Sequence, residues 1–357
     1  MKKISSRFQA FSNFSYKTKA ETLIIGMPLF CVHDMKTEHK VRNHILFFLI
    51  LAVLLAGSSA LVHPNDYEAY DILAVERKTS AMRSEPENSL DVLFLGDSES
   101  CDVYSPVQLY GEQGFTSYNT GSRAQRITDT YAILQEELKR QSPKLIVMEV
   151  NTVFTSDTLI NSGDPSEMFA EANLPIVHYH SFYKLMKIPE LISGMNAEYD
   201  RASVLKGFWY RKQTVPYTDR KDYMNASVKK AKINDGPKEY LAKIVNLAKS
   251  KGIQVLLVAS PSPKNWTEGK SIAIAEWAEE NGETFLDLNE VIDDIGIDWN
   301  TDSLDRGDHV NFSGTVKINS YIGKILKEDY NLPDHSTDDA YQSWNDLYTN
   351  SQLYNKQ

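Results

Sequence analysis

The stretch DVLFLGDSES, residues 91–100, joins a short apolar run to a Gly-Asp-Ser tripeptide. Its first part, DVLFLG (91–96), is rich in β-forming residues and closed by a glycine, which is typical of a buried strand. Gly, Asp and Ser are also the commonest turn formers, so the tripeptide alone indicates only a turn. Whether Ser98 is a turn residue or a nucleophile therefore depends on the rest of the chain.

Three further apolar runs predict strands: KLIVMEV (144–150), IQVLLVAS (253–260) and, more weakly, TFLDLN (284–289). Helical spacing of apolar residues lies between and after them. It is carried by Ile127, Tyr131, Leu134 and Leu138, by Leu241, Ile244, Val245 and Ala248, and by Val316, Ile318, Tyr321, Ile322, Ile325 and Leu326. Alternating strands and helices, with strands apolar throughout, predict a parallel sheet covered on both faces. Ligands of such sheets bind beyond the carboxyl ends of the strands, where Ser98 stands.

Charge and cysteine content exclude several classes of protein. The 357 residues carry a net charge of −10. Residues 1–43 hold eight Lys/Arg and three Asp/Glu, so the remainder, with 30 basic and 45 acidic residues, carries −15. Nucleic acid is not expected as a partner, because binding phosphates needs clustered Lys and Arg. Cys31 and Cys101 are too few for a disulfide framework, and Cys101 is expected to be a packed thiol. No metal or cofactor is predicted, and His178 and His180 are interpreted as packed or solvated.

The segment ILFFLILAVLLAGSSALV (45–62) contains eighteen uncharged residues, close to the minimum that spans a bilayer as a helix. Lys36, Lys40 and Arg42 precede it, so the positive-inside rule predicts a cytoplasmic N-terminus and an extracellular remainder at the plasma membrane. Two alternatives are a signal peptide cleaved near Ser58-Ser59-Ala60 and a buried core helix. An uncleaved anchor fits the length of the run best, and residues 1–34 receive no function.

A serine nucleophile needs a base, an acid that orients the base, and donors for the oxyanion. LDRGDHVNFSG (304–314) offers His309 as the base, with Asp305 or Asp308 as the acid. Asp305 is favoured because Gly307 lets the chain turn its carboxylate toward the imidazole, whereas Asp308 could cap the following helix. YNTGS (118–122) offers Gly121, and EVNTVF (149–154) offers Asn151, as donors beside the Ser98 N–H.

These four blocks resemble the SGNH (GDSL-like) hydrolases over roughly residues 88–330. The matching residues are Ser98 in GDSES, Gly121 in NTGS, Asn151 in EVNT and His309 in GDHVN. The third block lacks the usual Gly-x-Asn-Asp, and Arg306 occupies the usual position of the acid. The resemblance implies a three-layer α/β/α, flavodoxin-like fold. No GxSxG elbow is present, which argues against an α/β-hydrolase.

More narrowly, the chain resembles membrane-anchored extracytoplasmic SGNH proteins of Gram-positive bacteria that take part in cell-surface O-acylation. That resemblance implies a membrane-bound O-acyltransferase as partner and a cell-envelope polysaccharide as acceptor. The same site could serve a carboxylesterase acting on small esters, and an inactive glycan-binding module is a third alternative.

The predicted organisation follows the chain. It comprises a cytoplasmic N-terminus (1–44), an anchor (45–62), a connector (63–90), an SGNH-like domain (91–330) with a mostly helical insertion (155–236), and a polar, aromatic C-terminal tail (331–357).

Overall fold

A computed structural model describes residues 30–61, 82, 85–154, 205–219, 223–225, 229–351 and 354. Its sheet has five strands: β1 (Val92–Leu95), β2 (Ser117–Asn119), β3 (Leu145–Glu149), β4 (Gln254–Ala259) and β5 (Thr284–Asp287). All neighbours pair in parallel, in the order β2-β1-β3-β4-β5. This is the flavodoxin-like order, and the predicted α/β class is confirmed.

The described helices are α1 (Phe30–Leu61), α2 (Ser98–Cys101), α3 (Pro106–Gln113), α4 (Ile127–Glu137), α5 (Asp235–Ser250), α6 (Glu268–Asn281), α7 (Ile292–Ile295), α8 (Phe312–Asp329) and α9 (Gln342–Asn350). Single 3₁₀ turns cover Asn151–Phe154, Tyr223–Asn225 and Asp339–Tyr341. Helices α4, α5 and α8 cover the three segments in which apolar spacing predicted helix, except that Leu138 is the C-cap of α4.

Successive strand residues face opposite sides of the sheet, and each side has its own core. Leu93, Leu95, Ile146, Met148 and Leu257 pack on one side with residues of α4, α5 and α6. Val92, Phe94, Val147, Leu256 and Val258 pack on the other side with residues of α8. Both faces of the sheet are therefore covered, which leaves the strand ends as the accessible edge.

Helix α1 contains a window, His39–Ser58, with mean hydropathy 1.8 and none of its length buried. By length and composition it is long and apolar enough to cross a membrane. Most of α1 falls in a compact unit separate from the rest of the chain.

The structure describes part of the predicted insertion and most of the predicted C-terminal tail. The insertion is predicted to be mostly helical, but residues 205–219 form a turn followed by irregular chain. Residues 155–204, including His178 and His180, lie outside the described part. The C-terminal tail is folded: α9 buries Trp344 against Tyr110, with ring centroids 5.2 Å apart. The Tyr110 hydroxyl also donates to the His335 carbonyl at 3.3 Å, and the His335 ring lies 3.0 Å from Asp91, so several contacts hold this segment against the domain.

Candidate active site

The turn after β1 brings Ser98 to the end of the sheet. Gly96 has φ +143°, and a Cβ there would lie 2.7 Å from the Cβ of Glu149, so no side chain fits. Asp97 then caps α2 by accepting a hydrogen bond from the Glu99 N–H at 3.0 Å. Ser98 is the first residue of α2, directly at the carboxyl end of β1.

Ser98, His309 and Asp305 form a continuous chain of hydrogen bonds. The Oγ of Ser98 lies 2.8 Å from Nε2 of His309, and Nδ1 of His309 lies 2.8 Å from Oδ2 of Asp305. The other oxygen of Asp305 accepts the backbone N–H of His309 at 2.7 Å. Because the carboxylate holds a proton on Nδ1, Nε2 is left as an acceptor for the serine proton. This is the geometry of a nucleophile, a base and an orienting acid.

The loop that carries His309 owes its shape to two left-handed residues. Arg306 has φ +66° and Gly307 has φ +81°, which fold the chain so that Asp305 faces His309. The Gly307 N–H donates to Oγ of Ser303 at 2.8 Å, and the Arg306 N–H donates to the Val215 carbonyl at 3.0 Å. These bonds offset the cost of a non-glycine residue in the left-handed region.

Asp308 has a different environment from the one predicted. It does not cap α8: Asn311 does, accepting the N–H groups of Ser313 and Gly314 at 3.1 and 3.3 Å. The Oδ1 of Asp308 instead accepts a hydrogen bond from Asn265. Asn311 takes the cap because it is the last residue before the helical backbone begins, three residues after Asp308.

Gly121 and Asn151 were expected to supply oxyanion donors, and both lie beside the turn that carries Ser98. A Cβ on Gly121 would lie 2.8 Å from the Cβ of Ser100, and the Gly121 N–H donates to Oδ1 of Asn119 at 3.0 Å. Asn151 begins the 3₁₀ turn after β3, and its side chain acts on the Asp97 carboxyl, where it partly opposes the rise in pKa that burial causes. Since the Gly121 N–H already has an acceptor, its role as a donor, like that of Asn151 and the Ser98 N–H, stays a prediction.

Three buried carboxyl groups lie beside the turn that carries Ser98. Asp97, Glu99 and Glu149 are almost fully buried, and burial raises the pKa of each, for Glu99 to about 8. Burial lowers the pKa of His309, but its hydrogen bond to Asp305 and the charges of Glu99, Asp305 and Asp102 outweigh burial and raise it to about 9. The imidazole is therefore a stronger base than an isolated histidine.

Three site residues were missed from the sequence: Glu99, Asn265 and Lys270. Asn265 donates to Oε1 of Glu99 at 2.8 Å and also bonds Asp308, so it bridges the nucleophile turn to the base loop. Lys270 donates to Oδ1 of Asn151 at 3.1 Å. Glu99 directly follows Ser98 in the GDSES block, whereas Asn265 and Lys270 follow β4 and reach the edge of the sheet where ligands bind only through the order of the strands.

Glu99, Asp308 and His309 each place one potential metal-binding atom within 4.8 Å of the others. Both nitrogens of His309 are already hydrogen-bonded, to Ser98 and to Asp305. A metal ion there would have to displace one of these contacts, so the arrangement suits proton transfer better than metal binding. Cys101 is fully buried, as expected of a packed thiol.

Comparisons with known proteins give structural likenesses only. No family model and no curated protein matches the sequence. A GDSL-like lipase from Bacteroides thetaiotaomicron is 13% identical, with a TM-score of 0.37, over 72% of this chain and 99% of that one. An acetylxylan esterase from Geobacillus stearothermophilus is 14% identical, with a TM-score of 0.35, over 70% of this chain and 97% of that one.

Proposed function

We propose that this protein is an SGNH-type serine enzyme that forms an acyl-enzyme on Ser98. The observation that carries the proposal is the pair of 2.8 Å contacts that link Ser98, His309 and Asp305. His309 takes the serine proton as Oγ attacks an ester carbonyl, and then returns it to the leaving oxygen. Asp305 holds the imidazole in the required tautomer and stabilises its positive charge.

The oxyanion formed in this attack is stabilised by hydrogen-bond donors beside Ser98. The donors we assign are the Ser98 N–H and the Asn151 amide, and the Gly121 N–H joins them if it leaves Asn119. Each such donor is already oriented before the charge develops, and so it stabilises that charge without the reorganisation that water would need.

The acceptor we propose is a hydroxyl of a cell-envelope polysaccharide, with acetyl as the transferred group and a membrane-bound O-acyltransferase as its source. Support comes from the apolar window His39–Ser58, from the basic residues before it, and from the resemblance to anchored O-acylation proteins. In this arrangement the catalytic domain faces the outside of the plasma membrane. A carboxylesterase would use the same residues and pass the acyl group to water.

The test begins with an activated ester and a serine-directed phosphonate on the full chain in detergent. Wild type should hydrolyse p-nitrophenyl acetate and be labelled at Ser98, while Ser98→Ala and His309→Ala should lose turnover. Ser100→Ala, two residues further along, is not an acyl acceptor here and should still be labelled at Ser98. A wild-type protein that neither turns over the ester nor takes the label would contradict the enzyme and favour a binding module.

A second measurement separates transfer from hydrolysis. Purified envelope polysaccharide is added to the acyl-enzyme, and the acetyl group is followed into polymer or into free acetate. Transfer predicts acetylated polymer that depends on Ser98, and acetate alone would indicate an esterase.

A further inference from the structure

Lys270 occupies a position that is unfavourable for a lysine on two counts. It lies in the first turn of α6, where the positive end of the helix dipole repels a cation. It is also half-buried, and its Nζ lies 5.0 Å from the ring centroid of Phe154 and 5.8 Å from that of Trp266, two cation–π contacts that offset part of the cost of burial. Burial lowers the pKa of Lys270, opposed by the charges of Glu149, Glu99 and Asp97. A cation kept in such a place calls for a specific contact.

The polar contacts of the ammonium are with two oxygens near the nucleophile. Nζ donates to the side-chain Oδ1 of Asn151 at 3.1 Å and to the backbone carbonyl of Asn265. An ammonium has three donors and no acceptor. The atom of the Asn151 amide that faces Lys270 must therefore be the oxygen, which sets the orientation of an amide whose two ends are otherwise similar in shape.

With Oδ1 held by Lys270, the NH₂ group of Asn151 points away from it. Burial raises the pKa of the carboxyl of Asp97, the residue directly before Ser98, and the Asn151 side chain partly opposes this rise. The backbone N–H of Asn151 is anchored separately, to Oε2 of Glu149 at 3.0 Å. The main chain and the amide are thus held by different groups, and Lys270 is the group that holds the oxygen of the amide.

We infer that Lys270 is a positioning residue that keeps the NH₂ of Asn151, rather than its oxygen, directed at the Ser98 turn. The inference rests on the proposed function, in which that NH₂ group stabilises the oxyanion. Without Lys270 the amide can rotate by half a turn and present Oδ1, which would repel the developing negative charge. A role for Lys270 in neutralising the buried carboxylates would not depend on Asn151, and this difference can be measured.

A double-mutant cycle on the full chain makes that distinction, with kcat and KM for p-nitrophenyl acetate as readouts. Asn151→Ala should lower kcat on the order of a hundredfold or more. Lys270→Met should lower kcat by about tenfold or more with KM little changed, and adding it to Asn151→Ala should cause no further loss. Losses that multiply, or a Lys270→Met enzyme with wild-type kcat, would overturn the inference.

Lys317→Met is the matched control. Lys317 is also half-buried and donates to a fully buried carboxylate, that of Asp302 at 2.6 Å, but it contacts none of the three triad residues. Its kcat should stay within about twofold of wild type. If Lys317→Met lowers kcat as much as Lys270→Met does, the effect reflects general destabilisation and the inference fails.

A readout independent of turnover keeps the inference separate from the proposed function. In the full chain labelled with ¹⁵N-asparagine, the side-chain NH₂ signals of Asn151 are those missing from Asn151→Ala. Lys270→Met should shift or broaden these signals, and Lys317→Met should not. An inert wild type whose Asn151 signals respond in this way contradicts the enzyme but not the positioning, whereas unchanged signals in Lys270→Met contradict the positioning itself.

Discussion

Replacing Asp305 with Asn removes the negative charge that faces the base, His309, and keeps the size of the side chain. In wild type the carboxylate accepts from Nδ1 and from the backbone N–H of His309. An asparagine can still accept the backbone N–H, but its NH₂ group can donate to Nδ1 and so stabilise the tautomer with hydrogen on Nε2. In that tautomer the imidazole cannot take the proton of Ser98.

The structure sets a scale for the loss. A pKa of about 9 for His309, against the ordinary 6.5, corresponds to about 3.4 kcal/mol in favour of the imidazolium. Glu99 and Asp102 contribute to this stabilisation of the imidazolium together with Asp305. The Asp305 side chain is 41% exposed, so solvent partly screens its charge. Lost electrostatic stabilisation on the scale of this net shift corresponds to about 300-fold in rate. The wrong tautomer can add to this and bring the loss to about 10⁴, as in the serine proteases.

We expect Asp305→Asn to lower kcat for p-nitrophenyl acetate by between about 10² and 10⁴ without loss of fold. The measurement is steady-state turnover, with circular dichroism and the unfolding midpoint as checks. Asp308→Asn is the control: its side chain can still accept from Asn265, so kcat should stay within about threefold. A strong loss in Asp308→Asn together with near-normal turnover in Asp305→Asn would refute the assignment of the acid.

Three further predictions concern titration and packing. The rate of phosphonate labelling should rise with pH with a midpoint near 9, because only neutral His309 is a base. Glu99→Gln should move this rise to lower pH. An unshifted profile would show that Glu99 does not act on the imidazole. Since the folded pKa of His309 exceeds the unfolded value, its contribution to stability is complete below about pH 6.5 and is lost as pH rises through about 9. Urea denaturation at pH 6.5 and 9 should show a smaller decrease in Asp305→Asn than in wild type, and equal decreases would argue against the coupling. Trp344→Ala should lower the free energy of unfolding by about 3–5 kcal/mol, because the indole is 4% exposed; a change below about 1 kcal/mol would mean that the tail does not stabilise the domain.

The sequence predicted the strands and helices whose burial is continuous or periodic. Strands β1, β3, β4 and β5 are apolar runs, and each falls within a predicted segment. Strand β2 (Ser117–Asn119) was missed because three residues with two polar side chains carry no apolar pattern. Helix α6 was missed because several of its buried positions are small or polar, among them Gly269, Ser271 and Ala273. Burial at these positions depends on packing against neighbours, which the sequence does not display.

The residues of the site also divide into those that the sequence predicts and those that it does not. Ser98, His309 and Asp305 could be proposed from short motifs, because two of the three lie four residues apart and the serine follows a strand. Asn265 and Lys270 could not, because they follow β4 and reach the site only through the order of strands in the sheet. Strands β1, β3 and β4 are adjacent, so their carboxyl ends bring the nucleophile turn, Asn151 and the Asn265–Lys270 segment together.

The contacts of residues 205–217 help to hold the nucleophile and the base in position relative to each other. The Trp209 N–H donates to the Cys101 carbonyl at 2.8 Å, at the end of α2, and the Val215 N–H donates to the Ser303 carbonyl at 3.0 Å. The same segment accepts the Arg306 N–H, within the left-handed turn that aims Asp305 at His309. A single irregular strip of backbone thus bonds both to the helix that carries the nucleophile and to the loop that carries the base. The serine and the histidine are 211 residues apart in sequence. Because this segment bonds to both of the parts that carry them, it lowers the conformational entropy that is lost when the two side chains are held in contact.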